Sequence, residues 1–338
     1  MSARTFVIAE AGVNHNGSLA TALRLVDAAA DAGADAVKFQ SFKAEKIVLE
    51  SAPKAEYQKL STGSGDGQFA MLKALELSES DHLEIARRCA DRNILFLSTP
   101  FDEESADMLR GLGVGQFKIP SGEITNTPLL RHVARFGLPL LVSTGMADLE
   151  EVRLCVATLR EAGASEITLL HCVTEYPAPV DQINLRAMAT LREAFGVPVG
   201  YSDHSEGLEI AFAAVALGAT VLEKHFTLDR TMPGPDHTSS LEPAELQAMV
   251  RGIHAIESAL GNGVKTPAPC ELKNRDVVRR SLVVARRIER GETVAEQDLT
   301  AKRPGTGICP TLIDSIVGRR IAKTLEPGSI LEWKDLLP

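Results

Sequence analysis

Eight times within the first 230 residues, a short apolar run rich in β-branched residues leads through a polar cluster into an Ala/Leu-rich stretch with helical spacing. The runs are Phe6–Glu10, Ala36–Gln40, Leu95–Pro100, Gln116–Gly122, Leu140–Gly145, Ile167–Cys172, Val197–His204 and Thr220–Thr227. Between them, segments such as SLATALRLVDAAADAGA and EEVRLCVATLREAGA place apolar residues three and four apart, the period of an amphipathic helix. Gly33, Gly113, Gly163 and Gly218 stand where such helices must stop before the next strand. Continuously apolar strands alternating with helices mean a parallel sheet covered on both faces. Eight units closing on themselves predict an α/β fold, a TIM (β/α)8 barrel. An open doubly wound sheet is the alternative, but no Gly-rich dinucleotide fingerprint follows the first run.

The pattern stops near Leu260, which sets a barrel over residues 1–262. Residues 263–277 are rich in Gly, Pro and polar side chains and read as a linker. Residues 278–338 hold short apolar runs separated by ERGE and EPGS turns, a small, mostly-β domain. A unit of that size buries little core by itself, so docking on a barrel, that of a second subunit included, is expected. Of the 338 residues, 44% are hydrophobic and 24% charged, enough for a large core. The net charge of -9 argues against nucleic acid or an anionic membrane as partner. The five cysteines include no CxxC pair, so neither a disulfide framework nor a thiolate zinc site is indicated. The N-terminus lacks an apolar signal region, and no run of about 18 apolar residues occurs. A cytoplasmic protein is expected.

In such a barrel the chemistry sits where the strands end and the βα loops converge. Lys38 and Lys118 interrupt otherwise apolar strands. An inward-facing lysine needs an anionic partner, because an unpaired buried ammonium is costly. With the hydroxyls of Thr99, Ser121, Ser143 and Ser202 they describe a pocket for phosphate, or for phosphate plus carboxylate. The opposing reading lets one lysine reach solvent or form a Schiff base. His204 and His225 close neighbouring strands and can share one divalent metal, leaving an open shell for substrate and water. His171 and Cys172 read as packed residues. The stiff MPGPDHTSS loop presents Asp236 and His237 over the mouth, with Asp236 either binding sugar hydroxyls or capping the next helix. Asn14-His15-Asn16-Gly17 is either part of the site or a βα turn with Ser18 as N-cap.

Taken in order, IAEAGVNHNG, VKFQ, FLSTPF, FKIPSGE, VSTGM, LLHCVTEYPAP, GYSDHS, LEKHFT and MPGPDHTSSLEP resemble bacterial sialic acid synthases. The tail with KRPGTG resembles the C-terminal SAF (antifreeze-like) domain of the same family. The resemblance runs over nearly the whole chain. It implies condensation of phosphoenolpyruvate with the open-chain aldehyde of N-acetylmannosamine, or a close relative, to a nine-carbon 2-keto acid and phosphate. It also implies a divalent metal, Mn2+ first and Mg2+ or Co2+ as alternatives, held by His204 and His225. By the same resemblance Lys38, Thr99, Lys118, Ser121, Ser143 and Ser202 hold phosphoenolpyruvate, and Thr174 falls where the family often has Asn or Ser. Glu10, Gln40, Glu123, Tyr176 and Asp236 bind or polarise the sugar and the metal-bound water. Glu10 and Glu123 are the candidates for proton transfer. Arg303 would reach a neighbouring subunit's site and recognise the N-acetyl group, which implies a domain-swapped homodimer.

Within the family, N,N'-diacetyllegionaminate synthesis from 2,4-diacetamido-2,4,6-trideoxymannose is the near alternative, and pseudaminate synthesis a further one. A Schiff-base aldolase using Lys38 or Lys118 with pyruvate is the rival enzyme class. A carbohydrate- or ice-binding protein built on the tail would leave the lysines and histidines without a task.

Overall fold

The computed structural model describes residues 4–55, 58–59 and 67–338. They form two compact units, Met1–Asn262 and Gly263–Pro338. In the first, eight parallel strands carry the eight runs: β1 Phe6–Gly12, β2 Ala36–Ser41, β3 Leu95–Pro100, β4 Phe117–Ile119, β5 Leu140–Ser143, β6 Ile167–His171, β7 Val199–Asp203 and β8 Val221–His225. Hydrogen bonds link them in the order β3-β2-β1-β8-β7-β6-β5-β4. β3 and β4 lie side by side without a ladder, so the barrel is nearly closed. The fourth run is extended for three residues only, much less than Gln116–Gly122 suggested. Pro120 cannot extend the ladder, and Ser121–Glu123 turns into a 3-10 helix that lifts its side chains to the rim.

Helices form where the sequence supplies caps. Ser18 accepts from Thr21 N–H at the start of Leu19–Ala32, and Gly33 ends that helix at φ 82°. Asp148 and Glu151 make a reciprocal capping box before Leu149–Glu161. The outward strand residues Val7, Ala9, Val37, Phe39, Val142 and Leu169 pack beneath the helices in the main core.

The inward residues form stacked layers, as side-chain alternation requires. The lowest is apolar: Ile8, Ala36, Leu97, Leu141, Leu170 and Val221. Gly200 completes it, for a Cβ there would sit 2.4 Å from the Val221 carbonyl oxygen and 2.6 Å from Leu170 Cδ2. Gly200→Ala is expected to lower stability by about 1–3 kcal/mol through this overpacking, read as a fall in the urea midpoint. An unchanged midpoint would mean that the barrel interior has slack there. Two residues further along each strand, the layer becomes polar.

The second unit pairs β9 Ser281–Val284 antiparallel with β10 Leu299–Lys302. Isolated bridges such as Val283 with Ile330 and Ile288 with Leu325 extend the pairing. Its core holds Leu282, Val284, Ile288, Leu299, Ile321, Leu331 and other aliphatics. The stretch read as a linker is partly helical, with a turn at Pro269–Glu271 and a helix over Leu272–Val278. Pro269 suits the first helical position, and Asp276 O accepts from Gly305 N–H within the same unit. The KRPG segment is further tied down by Ser281 Oγ, which donates to Pro304 O and accepts from Gly307 N–H. Arg303 itself is exposed.

Candidate active site

The polar layer is a ring of alternating charge. Register sets Glu10 opposite Lys38 and opposite His225, and Ser202 opposite Glu223. Lys38 Nζ lies 2.8 Å from Glu10 and 3.6 Å from Glu223, and donates to Thr99 Oγ1 at 2.9 Å. Lys118 Nζ lies 3.4 Å from the other Glu223 oxygen, which also accepts from Ser202 Oγ at 2.9 Å. All four charged side chains are buried. Each cation thus has the anionic partner that burial demands.

The field inside this ring divides the carboxylates. Burial pushes Glu10 up to about 7, against the pull of Lys38. Burial acts on Glu223 in the same direction, but Lys118, Lys38 and the Ser202 hydroxyl bring it down to about 2. Burial lowers Lys118, whereas Glu10 and Glu223 outweigh burial and raise Lys38. Near neutral pH, Glu223 is a fixed anion and Glu10 a group able to take or release a proton.

Above the ring, at the ends of β7 and β8, the His204 and His225 rings stand 5.5 Å apart. Val173 O binds His204 Nδ1 at 2.6 Å and thereby aims Nε2 into the cavity. Tyr176 stacks on His204 at 4.2 Å, with its hydroxyl 3.3 Å from that Nε2. His225 Nδ1 is buried without a hydrogen-bond partner, 3.8 Å from Asp236. Burial holds His204 at about 4 and, together with His204 itself, holds His225 well below its ordinary value. Both are therefore neutral imidazoles at pH 7, the form that ligates metals. Among the described residues no group of three or more His, Cys, Asp or Glu side chains is placed to hold a metal ion. The two histidines by themselves could supply two ligands to an open site, whose shell substrate or water would have to complete.

These groups line one cavity of about 420 Å3. Gln40, Thr99, Ser121, Glu123, Ser143, Thr174 and Asp236 line it as well. Ser121 Oγ accepts from Gly145 N–H at 3.0 Å, and Glu123 is held by Asn126 at 2.6 Å. The Ser143 and Thr174 hydroxyls are buried and unpartnered, so both remain available to an anion. A Cβ at Gly145 would approach Thr174 Oγ1 to 2.2 Å, so glycine keeps this corner open. Asp236 does not cap the following helix, whose N-cap is Glu242.

Several polar residues near the strand ends serve the framework instead. His237 does not line the cavity; it is buried against Thr227 Oγ1 at 2.6 Å and Asn16 Oδ1 at 3.2 Å. Asn14 donates to Phe226 O and Ser240 Oγ, and His15 Nδ1 accepts from Gly17 N–H, so this segment is a latch for the mouth loop. His171 bonds Ile183 O, while Asp203 and Lys224 pair outside the barrel at 2.7 Å. Arg303 belongs to the second unit. Glu223 has no role in the sequence reading, although it pairs with both lysines. Its signal was the two-residue spacing to His225, which puts both side chains on one strand face. The long segment after β2 was missed too: Phe42, Ile47, Met71, Leu72 and Leu75 give the cavity an apolar outer wall.

Residues 25–265 match the NeuB family and residues 279–337 the SAF domain. The chain is 48% identical to N,N'-diacetyllegionaminic acid synthase of Legionella pneumophila, over 98% of this chain and 94% of that protein. It is 35% identical to human N-acetylneuraminate-9-phosphate synthase, over 95% of this chain and 89% of the other. The crystal structure of N-acetylneuraminic acid (sialic acid) synthetase from Leptospira borgpetersenii in complex with citrate superposes with a TM-score of 0.71 at 38% identity, covering 80% of this chain and 90% of that one. A charged ring inside a nearly closed barrel, two neutral histidines above it and these matches place the chain in the NeuB family, with a C-terminal SAF domain.

Proposed function

We propose that this chain condenses phosphoenolpyruvate with N-acetylmannosamine or a close relative, giving a nine-carbon 2-keto acid and phosphate with the consumption of one water. The observation that carries this reading is the buried ring of Lys38, Lys118, Glu10 and Glu223 beneath two neutral histidines. Lys38 and Lys118, with the hydroxyls of Thr99, Ser121, Ser143, Thr174 and Ser202, offer charge and donors to the phosphate and carboxylate of the enol. The cavity holds both small molecules together, which replaces a bimolecular encounter by a positioned one. Glu10, able to exchange a proton near pH 7, and Glu123 at the rim are the groups for proton transfer. Gln40, Tyr176 and Asp236 orient the sugar. His204 and His225 would hold a divalent ion, Mn2+ first and Mg2+ or Co2+ as alternatives, which when bound supplies Lewis acidity towards the sugar aldehyde.

Among close relatives of N-acetylmannosamine, the 48% identity to the Legionella synthase against 35% to the human one favours 2,4-diacetamido-2,4,6-trideoxymannose. The basic second unit, with Arg303 exposed on its KRPG loop, suits a domain-swapped homodimer in which Arg303 meets the N-acetyl group of a sugar in the partner's barrel. No helix among the described residues is long and apolar enough to cross a membrane. A cytoplasmic location agrees with this substrate pair. An imine-forming aldolase is disfavoured because both lysines face the ionised Glu223.

The test is phosphate release from phosphoenolpyruvate with Mn2+, with sugar or metal omitted in turn. Phosphate that depends on both is the expected result. Sugar-independent release, or borohydride trapping of pyruvate on Lys118, would overturn the proposal.

A further inference from the structure

The cavity is two-faced. Its floor carries the charged ring and the histidines. One side of its mouth is built from the apolar cluster Val13, Phe42, Met71 and Leu75, packed with Ile47, Leu72 and Phe101. Phe42 and Phe101 meet edge to face at 6.0 Å, which makes this wall rigid. Met146, in the turn after β5, also lines the cavity; the residue is 71% exposed and its backbone stands at φ 64°. A non-glycine residue in the left-handed region is strained, and such strain gathers at ligand sites. If only the turn after β5 mattered, glycine or asparagine would serve there without exposing a thioether.

Resting on the condensation proposed above, we infer that Phe42, Met71, Leu75 and Met146 determine which acceptor sugar is used. The enol's phosphate and carboxylate claim the charged floor, so the sugar's far carbons extend towards the mouth. A far end bearing methyl groups, from a deoxy carbon and an acetamido substituent, meets the wall favourably. A hydroxymethyl end would lay its hydroxyl against Met71 and Leu75, where among the described residues only the Gln58 and Gln68 amides of the same segment line the cavity to meet it. A phosphorylated end is rejected more strongly. Among the described residues of the chain, Lys38 and Lys118 are the Lys and Arg side chains lining the cavity, both are paired on the floor, and the Arg303 proposed above to enter from a second copy is taken up by the N-acetyl group. Residues 56–57 and 60–66 contain neither Lys nor Arg.

The experiment compares kcat/KM for 2,4-diacetamido-2,4,6-trideoxymannose, N-acetylmannosamine and N-acetylmannosamine 6-phosphate, in the full chain with Mn2+. The wild type should favour the trideoxy sugar over N-acetylmannosamine by about 10- to 100-fold, with the phosphorylated sugar weakest. Met71→Gln, which offers an amide to a hydroxyl at nearly constant volume, should shift that ratio at least about 5-fold towards N-acetylmannosamine. Met146→Gly relieves its own backbone strain, so it keeps the test valid where Met71→Gln misfolds. It should raise KM for the trideoxy sugar about 5-fold and leave KM for phosphoenolpyruvate unchanged. Equal or better use of N-acetylmannosamine by the wild type would overturn the inference alone. So would ratios unmoved in both variants. No phosphate release with any sugar would instead remove the condensation itself and this inference with it.

Discussion

Glu223→Gln is expected to cut kcat/KM for phosphoenolpyruvate by about 10²–10³ and to lower stability by about 3–5 kcal/mol. The reason is geometric: one carboxylate faces Lys38 at 3.6 Å and Lys118 at 3.4 Å, and all three are buried. Removing its charge leaves Lys38 with Glu10, and leaves Lys118 with no ion-paired carboxylate among the described residues. The stability loss should be visible in the urea midpoint, and the kinetic loss in phosphate release. A double-mutant cycle with Lys118→Met separates this from ordinary packing damage, since removing both partners should destabilise less than the sum of the single changes. Additive losses, or a Glu223→Gln protein as stable and active as the wild type, would show that the ring is not a coupled electrostatic unit.

His225→Ala should lower sugar-dependent phosphate release about 10³-fold while leaving the phosphoenolpyruvate Kd within about 3-fold. The histidines stand above the charged ring, so anion binding to the two lysines does not need them. Direct Mn2+ binding, followed by electron paramagnetic resonance, should fall with the activity. His237→Ala is the informative contrast: that ring is equally buried but faces Thr227 and Asn16, so its loss should affect stability and spare Mn2+ affinity. If His225→Ala bound Mn2+ like the wild type, the metal assignment would fail even though the two histidines are adjacent.

These expectations draw on residues that differ in how far they could be read from the chain. Lys38 and Lys118 were conspicuous because a charge within a β-branched run has only two destinations. His204 and His225 were conspicuous because each closes a strand in successive repeats. Glu223 was not, for a glutamate beside a lysine and a histidine in VLEKH looks like an ordinary strand end. Only the pairing of Ile8 with Glu223 and of Ser202 with Glu223 puts it under both lysines. His237 went the other way: its place in a stiff loop suggested the mouth, but the loop folds its ring back against Thr227.

By itself the sequence determined the repeat, because eight apolar runs buried on both faces can satisfy their backbones only in a parallel sheet covered by helices. It also determined which strands bear charge, since alternation assigns a face to each residue once a strand is granted. The tertiary structure alone decided the pairing of those charges, the split between Glu10 and Glu223, and the apolar wall from the segment after β2. Each depends on side chains far apart in sequence meeting at a few ångströms. Neither periodicity nor propensity carries that distance; the closure of the barrel does.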